Sequence, residues 1–314
     1  MAKPTTDVRP IALVTAGAAR GLDEDLPLLL AAFAERGQAA EVVDWDDDRV
    51  NWSRFELALL RSTWDYTTRL PEFLQWLDRA AAQTRLFNPQ PVVRWNVDKH
   101  YLAELARAGV AIVPSVFVEP GADAGAALRE FLDQHPEAEL VVKPSVGAGS
   151  RDAQRYGREE LSVIGAHIFR LRDEKRSVLL QPYLNRVDEQ GETALVYFNG
   201  VFSHAFRKGP LLHRGQEPTR ALFATEKITA RTPGDDELDL AARVLKALPF
   251  STPLYARIDL IRAADATPCV LELELTEPSL YFEHAPGAAG RMADSVRLLC
   301  NTTAPTSPAD SLLT

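Results

Sequence analysis

Hydrophobic and polar positions alternate most regularly along residues 270–279, VLELELTEPS. Apolar residues recur at every second position with Glu272 and Glu274 between them, which is typical of a β-strand with one buried face. Residues 255–261, YARIDLI, form a second such segment, and a loop rich in Ala, Asp, Thr and Pro separates the two. The pattern therefore predicts a pair of antiparallel strands.

Pairing that is symmetric about this loop would place Asp259 opposite Glu272 and Arg257 opposite Glu274. Directly opposed carboxylates repel each other and weaken a sheet. They become reasonable if a hard cation lies between them, because Mg²⁺ is commonly held by one or two carboxylates together with substrate phosphates. A solvated sheet face that carries surface glutamates explains the same pattern equally well.

The first part of the chain alternates strands with helices, which predicts a small parallel α/β domain. Gly17 and Gly21 follow the first strand but do not form the GxGxxG pattern of a dinucleotide-binding loop. The predicted strands are Ile11–Thr15, 41–43 and 57–60, and the predicted helices are 25–36 and 71–82.

A polar and aromatic cluster follows the third of these strands. Ligands of open α/β sheets bind outside the carboxyl ends of the strands, so this cluster is a candidate substrate site. A small zwitterion would suit it, with Arg61 binding a carboxylate and Asp65 an amine. The alternative is a helix-capping cluster with Trp64 in the core. The candidate substrate residues are Arg61, Ser62, Thr63, Trp64, Asp65 and Tyr66.

Two lysines lie where an anion would be favourable. We expect Asn96 to cap a helix over residues 97–108, which puts Lys99 in its first turn, an unfavourable place for a cation unless an anion is near. Lys143 ends an apolar strand and enters a glycine-serine loop, whose backbone N–H groups could fold over phosphates. A surface lysine and a flexible turn are the simpler interpretations. The loop residues of interest are Gly147, Gly149 and Ser150.

Two further segments could contribute to a cleft. Residues 177–184 predict an apolar strand that ends in a linker, against which a purine could lie. Asn199-Gly200 is a strong hairpin signal, and a two-residue turn there would place Glu192 opposite Arg207. That pair is either an ordinary cross-strand ion pair or part of the cleft.

Composition narrows the class of protein. The 314 residues carry a formal net charge of −9, which argues against a nucleic-acid-binding or membrane-surface protein. Two cysteines are too few for a disulfide framework, and the N-terminus lacks an apolar signal core, so we expect a cytoplasmic protein. We expect a flexible tail in residues 301–314 and no other flexible segment of this kind.

Together these segments resemble the ATP-grasp superfamily over about residues 96–297. The resemblance rests on Lys99, the Val-Val-Lys143-Pro segment with its glycine loop, Gln181-Pro-Tyr183-Leu184, Gly191-Glu192, Arg207, Asp259 and Glu272-Leu-Glu274. Within the superfamily the chain resembles the prokaryotic glutathione-synthetase group. It is most similar to the branch that contains the D-cycloserine-forming cyclo-ligase, because of residues 60–66, LRSTWDY.

The resemblance implies an α/β protein with an ATP-grasp fold and an N-terminal Rossmann-like domain. The resemblance implies an N-terminal substrate domain over residues 1–95 and an ATP-grasp part in two subdomains. These are the central and lid subdomain over residues 96–184 and the C-terminal subdomain over residues 185–300, and the flexible tail over residues 301–314 follows. It also implies ATP and Mg²⁺ as cofactors. The implied nucleotide-binding residues are Lys99, Lys143, Gly147, Gly149, Ser150, Gln181, Tyr183, Leu184 and Glu192. The implied metal ligands are Asp259, Glu272 and Glu274, and the implied catalytic cations are Lys143, Arg207 and Arg257.

Two positions depart from glutathione synthetases. Ala194 stands where those enzymes tend to have an arginine, and Glu274 where they tend to have asparagine. Both departures argue against glutathione synthesis itself.

The resemblance implies an ATP-dependent ligase that phosphorylates a carboxylate or carbonyl oxygen, releases ADP and forms a C–N bond. We expect cyclisation of O-ureido-D-serine to D-cycloserine. The alternatives are an intermolecular carboxylate–amine ligase and a nucleotide-binding sensor without turnover. The expected partner is a small amino-acid-like substrate, and a homodimer is possible.

Overall fold

The computed structural model describes residues 9–302 except residues 137, 217–218 and 223–225. The predicted tail lies outside this part from residue 303 onward, and its first two residues end the last helix. The strands form three sheets. None of the helices in the described ranges is both long and apolar enough to cross a membrane.

The first sheet is parallel, in the order β2-β1-β3-β4, which confirms the predicted α/β organisation. Strands β1 and β3 are buried along their whole length, as their uninterrupted apolar runs require. Its strands are β1 (Ile11–Thr15), β2 (Ala40–Asp44), β3 (Leu57–Ser62) and β4 (Arg85–Phe87), and its helices are α1 (Asp25–Glu35), α2 (Leu70–Ala81) and α3 (Gln90–Asn96).

The second sheet is antiparallel, in the order β5-β8-β6-β7, with its core between the sheet and helices α5 and α6. The elements of this part are α4 (Tyr101–Arg107), β5 (Val116–Val118), α5 (Ala124–Gln134), β6 (Leu140–Pro144), β7 (Gln154–Tyr156), α6 (Leu161–Asp173) and β8 (Val178–Pro182).

The predicted helix over residues 97–108 is wrong. Helix α3 ends at Asn96 and α4 begins at Tyr101, so Asn96 caps neither. Its side-chain amide instead donates to the Leu273 carbonyl (2.8 Å) and accepts from the Leu275 N–H (2.7 Å). Asn96 thus binds the backbone of the strand region that carries Glu272 and Glu274, a use of its hydrogen-bonding groups that local sequence does not indicate.

The third sheet is antiparallel, in the order β11-β10-β9-β12-β13. Asn199 and Gly200, with φ of 49° and 75°, form the predicted tight turn between two of its strands. Its elements are α7 (Arg186–Gln190), β9 (Glu192–Phe198), β10 (Val201–Lys208), β11 (Ile228–Ala230), α8 (Asp235–Ala247), β12 (Tyr255–Arg262), β13 (Pro268–Glu274) and α9 (Ala288–Thr302).

Helix α9 and the segment before it connect the third sheet to the first. Arg36, at the end of α1, forms an ion pair with Asp294 of α9 (2.7 Å), and one apolar core includes residues of β1, β9, α1 and α9. Asp25 accepts N–H groups of residues 280–282. Each sheet lies inside one predicted segment, but these contacts cross the segments, so the division into domains stays a prediction.

Candidate active site

Strands β12 and β13 pair in the predicted register at the site, with Asp259 opposite Glu272 and Arg257 opposite Glu274. Arg257 is almost fully buried, and its Nε and Nη2 donate to the two oxygens of Asp259, each at 2.9 Å. The same guanidinium group contacts Glu274. Such a bidentate pair fixes both side chains, because the planar fork of arginine matches a carboxylate.

The predicted pairing of Glu192 with Arg207 is wrong by one residue. An irregularity between Phe202 and His204 shifts the register of β10, so that Lys208 lies opposite Glu192. The Lys208 Nζ lies 3.1 Å from Asp259, 3.1 Å from Glu192 and 3.4 Å from Glu226. Lys208 is therefore the cation that β10 contributes to the site.

Arg207 points away from the cleft and supports the backbone instead. Its Nε and Nη2 donate to the carbonyls of Gln190 (2.6 Å) and Glu189 (2.9 Å). The guanidinium group lies so close to Gly191 that a Cβ there would be 2.8 Å from its Nε, and Gly191 has a φ of +68°. The predicted catalytic role of Arg207 is thus corrected, because alternate side chains of a strand face opposite sides.

Lys99 and Lys143 lie together beside Glu272 and the glycine loop. The Lys99 Nζ donates to the Gly147 carbonyl (2.6 Å) and lies 2.9 Å from Glu272. Lys143 extends from β6 and lines the same cavity, and it forms no ion pair in the described ranges. Two amines therefore face one cavity, although Lys99 lies between two helices and not in the first turn of one.

Burial and these neighbours shift the pKa values of the cluster. Burial lowers the pKa of Lys143 to about 8, although Glu272 opposes the shift. Burial alone would raise the pKa of Glu272, but Lys99 and Lys143 outweigh it and lower that pKa. Burial also opposes the charge of Lys208, but Asp259, Glu192 and Glu226 hold its pKa well above the usual value. Lys208 therefore keeps its charge at neutral pH, whereas the lowered pKa of Lys143 lets that lysine lose its charge in mildly alkaline solution.

This first cavity has one apolar wall and one charged wall. Its residues include Lys99, Val113, Val141, Lys143, Gly147, Gly149, Ser150, Gln181, Tyr183, Leu184, Glu192, Lys208, Ile261, Leu271 and Glu272. The Gln181 side-chain amide donates a hydrogen bond to the Ser115 hydroxyl (2.9 Å). The Arg155 guanidinium group lies over the Tyr183 ring, 3.5 Å from its centroid. The Tyr183 N–H donates to Glu139 (2.7 Å), so it is already used within the chain.

A second cavity adjoins the first. The two share the wall formed by Ala148, Gly149, Ser150, Lys208 and Glu272. Beyond this shared wall the second cavity is lined by Leu22, Asp23, Glu24, Asp25, Trp64, Glu226, Arg257, Glu274, Glu277, Ser279, Tyr281 and Glu283. A phosphate group in the first cavity would therefore face a ligand in the second.

Of the predicted substrate cluster, only Trp64 lines the second cavity. Arg61 is fully buried, and its Nη2 donates to Asp25 (3.3 Å) and to the Pro278 carbonyl (3.1 Å). The Ser62 hydroxyl pairs with that of Thr15 (2.8 Å), and the buried Thr63 hydroxyl has no hydrogen-bond partner among the described residues.

Asp65 and Tyr66 also face the protein rather than the cavity. Asp65 accepts from Trp45 (2.9 Å) and Arg69 (3.2 Å), and the Tyr66 ring packs 5.0 Å from that of Phe73. The carboxyl end of β3 is covered by α1 and by residues 278–282, so polar groups there serve packing. The predicted substrate contacts of Arg61 and Asp65 are corrected accordingly.

The three predicted metal ligands differ in how far their carboxylate groups are exposed and engaged by neighbouring cations. Both oxygens of Asp259 are engaged, by Arg257 and Lys208, whereas the side chains of Glu272 and Glu274 remain about a quarter exposed. No group of three His, Cys, Asp or Glu residues in the described ranges is arranged to hold a metal ion. Two open carboxylates beside a phosphate-sized space do fit Mg²⁺, because it readily takes one or two carboxylates and completes its shell with phosphate and water.

Sequence reasoning missed Lys208, Glu226, Glu277 and Tyr281. Glu277 lies in the same acidic segment as Glu272 and could have been selected on that ground. The Tyr281 hydroxyl donates to Glu226 (2.9 Å), a contact between distant parts of the chain that no local pattern indicates.

Comparison with known proteins identifies close relatives. Residues 11–88 match the family model described as the N-terminal domain of D-cycloserine synthetase DcsG. The cycloserine biosynthesis protein DcsG of Streptomyces lavendulae is 44% identical over 292 residues, which cover 91% of this chain and 97% of that protein.

The solved structures agree with this result. The crystal structure of D-cycloserine synthetase DcsG matches with a TM-score of 0.86 and 42% identity, covering 92% of this chain and 99% of that one. The ATP-grasp ligase PsnB, in complex with precursor peptide PsnA2 and AMPPNP, matches with a TM-score of 0.60 and 19% identity over 93% and 98% of the two chains. The latter similarity concerns the fold alone.

Proposed function

Because the chain belongs to the D-cycloserine synthetase family of ATP-grasp ligases, we propose that it cyclises O-ureido-D-serine to D-cycloserine with conversion of ATP to ADP. The observation that carries this proposal is the shared wall of Lys208, Glu272 and the glycine loop. A ligase of this type has to hold the terminal phosphate of ATP against a carboxylate or carbonyl oxygen of the substrate.

ATP would occupy the first cavity. Its adenine would lie on the apolar wall at Leu184, beside Gln181 and Tyr183, and its ribose would lie near Glu192. The phosphates would lie between Lys99 and Lys143, under the loop of Gly147, Gly149 and Ser150. Support comes from the positions of both amines in one cavity, where point charges suit phosphate.

Mg²⁺ would be held by Glu272 and Glu274 together with phosphate oxygens. When bound, it would neutralise charge on the transferring phosphate. Asp259 could become a third ligand only if its ion pair with Lys208 were broken. In the present arrangement it positions Lys208 and Arg257.

The residues of this chain would contribute positioning and charge. Lys208 and Arg257 both line the second cavity and would stabilise the negative charge that develops during phosphoryl transfer. The substrate would lie in that cavity beside Trp64. One substrate molecule would supply both the activated carboxyl carbon and the attacking nitrogen, and ring closure would release phosphate. The carbamoyl group on that nitrogen would be removed by water and leave as carbon dioxide and ammonia. A homodimer stays a prediction.

The experiment is to measure ADP, AMP and D-cycloserine formed from Mg-ATP and O-ureido-D-serine, with Glu272→Gln as the inactive control. We expect equal amounts of ADP and D-cycloserine from the native chain. For the variant we expect a loss of turnover in a protein that still folds, since Gln keeps the shape of Glu272.

Other results would change the proposal. ADP formed only with a pair of amino acids would indicate an intermolecular ligase. AMP in place of ADP would rule out phosphate activation, and full activity of Glu272→Gln would rule out the metal site. Binding of ATP without turnover under every addition would indicate a sensor.

A further inference from the structure

The second cavity is strongly acidic. Its lining includes two aspartates and six glutamates, at positions 23, 24, 25, 226, 272, 274, 277 and 283, and its cations are Lys208 and Arg257. An acidic wall by itself identifies no ligand, because carboxylates are often neutralised by their own neighbours. The informative residue is a buried carboxylate that the chain leaves without a cation.

Most of the buried or partly buried carboxylates here are neutralised within the chain. Glu272 pairs with Lys99, Glu274 with Arg257, Glu226 with Lys208, and Asp25 with Arg61. Glu24 and Glu283 are exposed to solvent. Two buried carboxylates therefore remain without an ion pair in the described ranges, Asp23 and Glu277.

These two residues differ in whether a ligand in the second cavity can reach their carboxylate oxygens. The Asp23 Oδ1 accepts the Asp25 N–H (3.0 Å), and its Oδ2 is buried without a hydrogen-bond partner in the described part of the chain. A ligand in the cavity cannot reach an oxygen that is enclosed in this way. Glu277 lacks such an enclosed oxygen, and the residue lines the cavity although only 6% of its surface is exposed.

The surroundings of Glu277 fix its backbone and contact its side chain without supplying an ion pair in the described ranges. Trp64, which lines the same cavity, donates its indole N–H to the Glu277 carbonyl (3.1 Å). Burial raises the pKa of Glu277 to about 7, although a hydrogen bond from Tyr66 and the charge of Lys99 oppose this. A cation that entered the cavity would relieve the cost of this burial.

We propose that Glu277 binds the ammonium group of the amino-acid substrate. This inference rests on the proposed function, in which an amino acid occupies the second cavity. Lys208 and Arg257 line this cavity too, and Lys208 also belongs to the wall shared with the first cavity. An amino acid with its ammonium group at Glu277 could therefore present its carboxylate or carbonyl oxygen to these cations and to the phosphate. The substrate class is a small amino acid with a free α-ammonium group.

The test compares two ligands that differ only in the ammonium group, O-ureido-D-serine and its deamino counterpart, 3-(ureidooxy)propanoate. Their affinities are measured by calorimetry for the native chain, for Glu277→Gln and for Asp23→Asn, the matched control. Gln keeps the size of Glu277 and can still accept a hydrogen bond from Tyr66, so it removes mainly the charge.

We expect the native chain to prefer the ammonium-bearing ligand by about ten- to a hundredfold, the range of a charged hydrogen bond. Glu277→Gln should reduce this preference to nearly one and bind the deamino ligand unchanged. Asp23→Asn should keep most of the preference.

Equal affinity of the native chain for both ligands would overturn the inference, as would equal weakening of both ligands by Glu277→Gln. Failure of the proposed function is recognised separately, by the absence of ADP release from the native chain with O-ureido-D-serine. In that case the pair of ligands is formed from the amino acid that does stimulate ADP release and its deamino counterpart, and the same criteria apply.

Discussion

The strand pairs β9–β10 and β12–β13 both contribute residues to the site. They differ in how well the position of the connecting turn predicts which residues pair there. Both contain a one-residue irregularity between the turn and the cleft. In β9–β10 the two-residue turn fixes the pairing of Val201 with Phe198, but beyond the irregularity Lys208 rather than Arg207 lies opposite Glu192. A shift of one residue turns every later side chain to the other face.

In β12–β13 the register assumed from symmetry about the loop is correct at the site. The residues next to the loop are shifted instead, with Arg262 paired with Pro268 and Leu260 with Val270. The carboxylates of one strand and the arginine of the other fit each other only in this register. A turn signal thus predicts register up to the first bulge, and complementary charges at the site can indicate it beyond that point.

The largest effect should separate Lys208 from Arg207. We expect Lys208→Met to lower kcat by on the order of a hundredfold or more, because it removes a charge at the phosphate. Arg207→Met should change kcat by less than about threefold, since the hydrogen bonds of that side chain in the described ranges go to backbone carbonyls. Steady-state kinetics of both variants provides the measurement.

Loss of Lys208 also leaves three carboxylates without their shared cation, so unfolding has to be examined separately. Lys208→Arg keeps the charge and should fold normally and retain more activity than the Met variant. If Arg207→Met were as damaging as Lys208→Met in folded protein, the corrected register would be wrong at the site.

A smaller effect should distinguish Lys208 from Lys143, which lies outside both strand pairs. A lysine is charged below its pKa, so Lys143, with a pKa of about 8, loses its charge as the pH rises from 7.5 to 9.5. Lys208 stays charged over this range because its pKa is raised well above 10.5. We expect ATP affinity to fall by up to about tenfold for each pH unit above pH 8.

Titration of ATP binding at several pH values measures this dependence. Lys143→Arg should flatten it, because arginine remains charged throughout. An unchanged slope in that variant would assign the pH dependence to another group.

The smallest effect is expected at the carboxyl end of β3. Trp64→Ala should raise the KM for the amino-acid substrate by about three- to tenfold and leave ATP affinity unchanged, since Trp64 lines the second cavity and is not among the described residues that line the first. Asp65→Asn should leave that KM nearly unchanged, because Asp65 faces Trp45 and Arg69. A weaker affinity for ATP in Trp64→Ala would contradict the assignment of the two cavities.

The sequence by itself determined the fold class and many of the elements, and it indicated several residues that line the cavities. Alternating or uninterrupted apolar runs located β1, β3, β6, β12 and β13, and the Asn-Gly turn located β9 and β10. Lys143 was selected because a cation where a strand enters a glycine loop suggests an anion, whereas Lys99 was selected from a helix start that the structure does not contain. These features depend on neighbouring residues, which a sequence displays directly.

Only the tertiary structure decided which side chains reach the cavities. A bulge in β10 places Lys208 rather than Arg207 at the site. The residues that cover the carboxyl end of β3 bind Arg61, and Asp65 contacts Trp45, whereas Trp64 lines the second cavity. The acidic segment could have suggested Glu277, but only the packed chain shows that no cation of the described ranges forms an ion pair with it. Burial and pairing arise from residues distant in sequence, and therefore no local pattern encodes them.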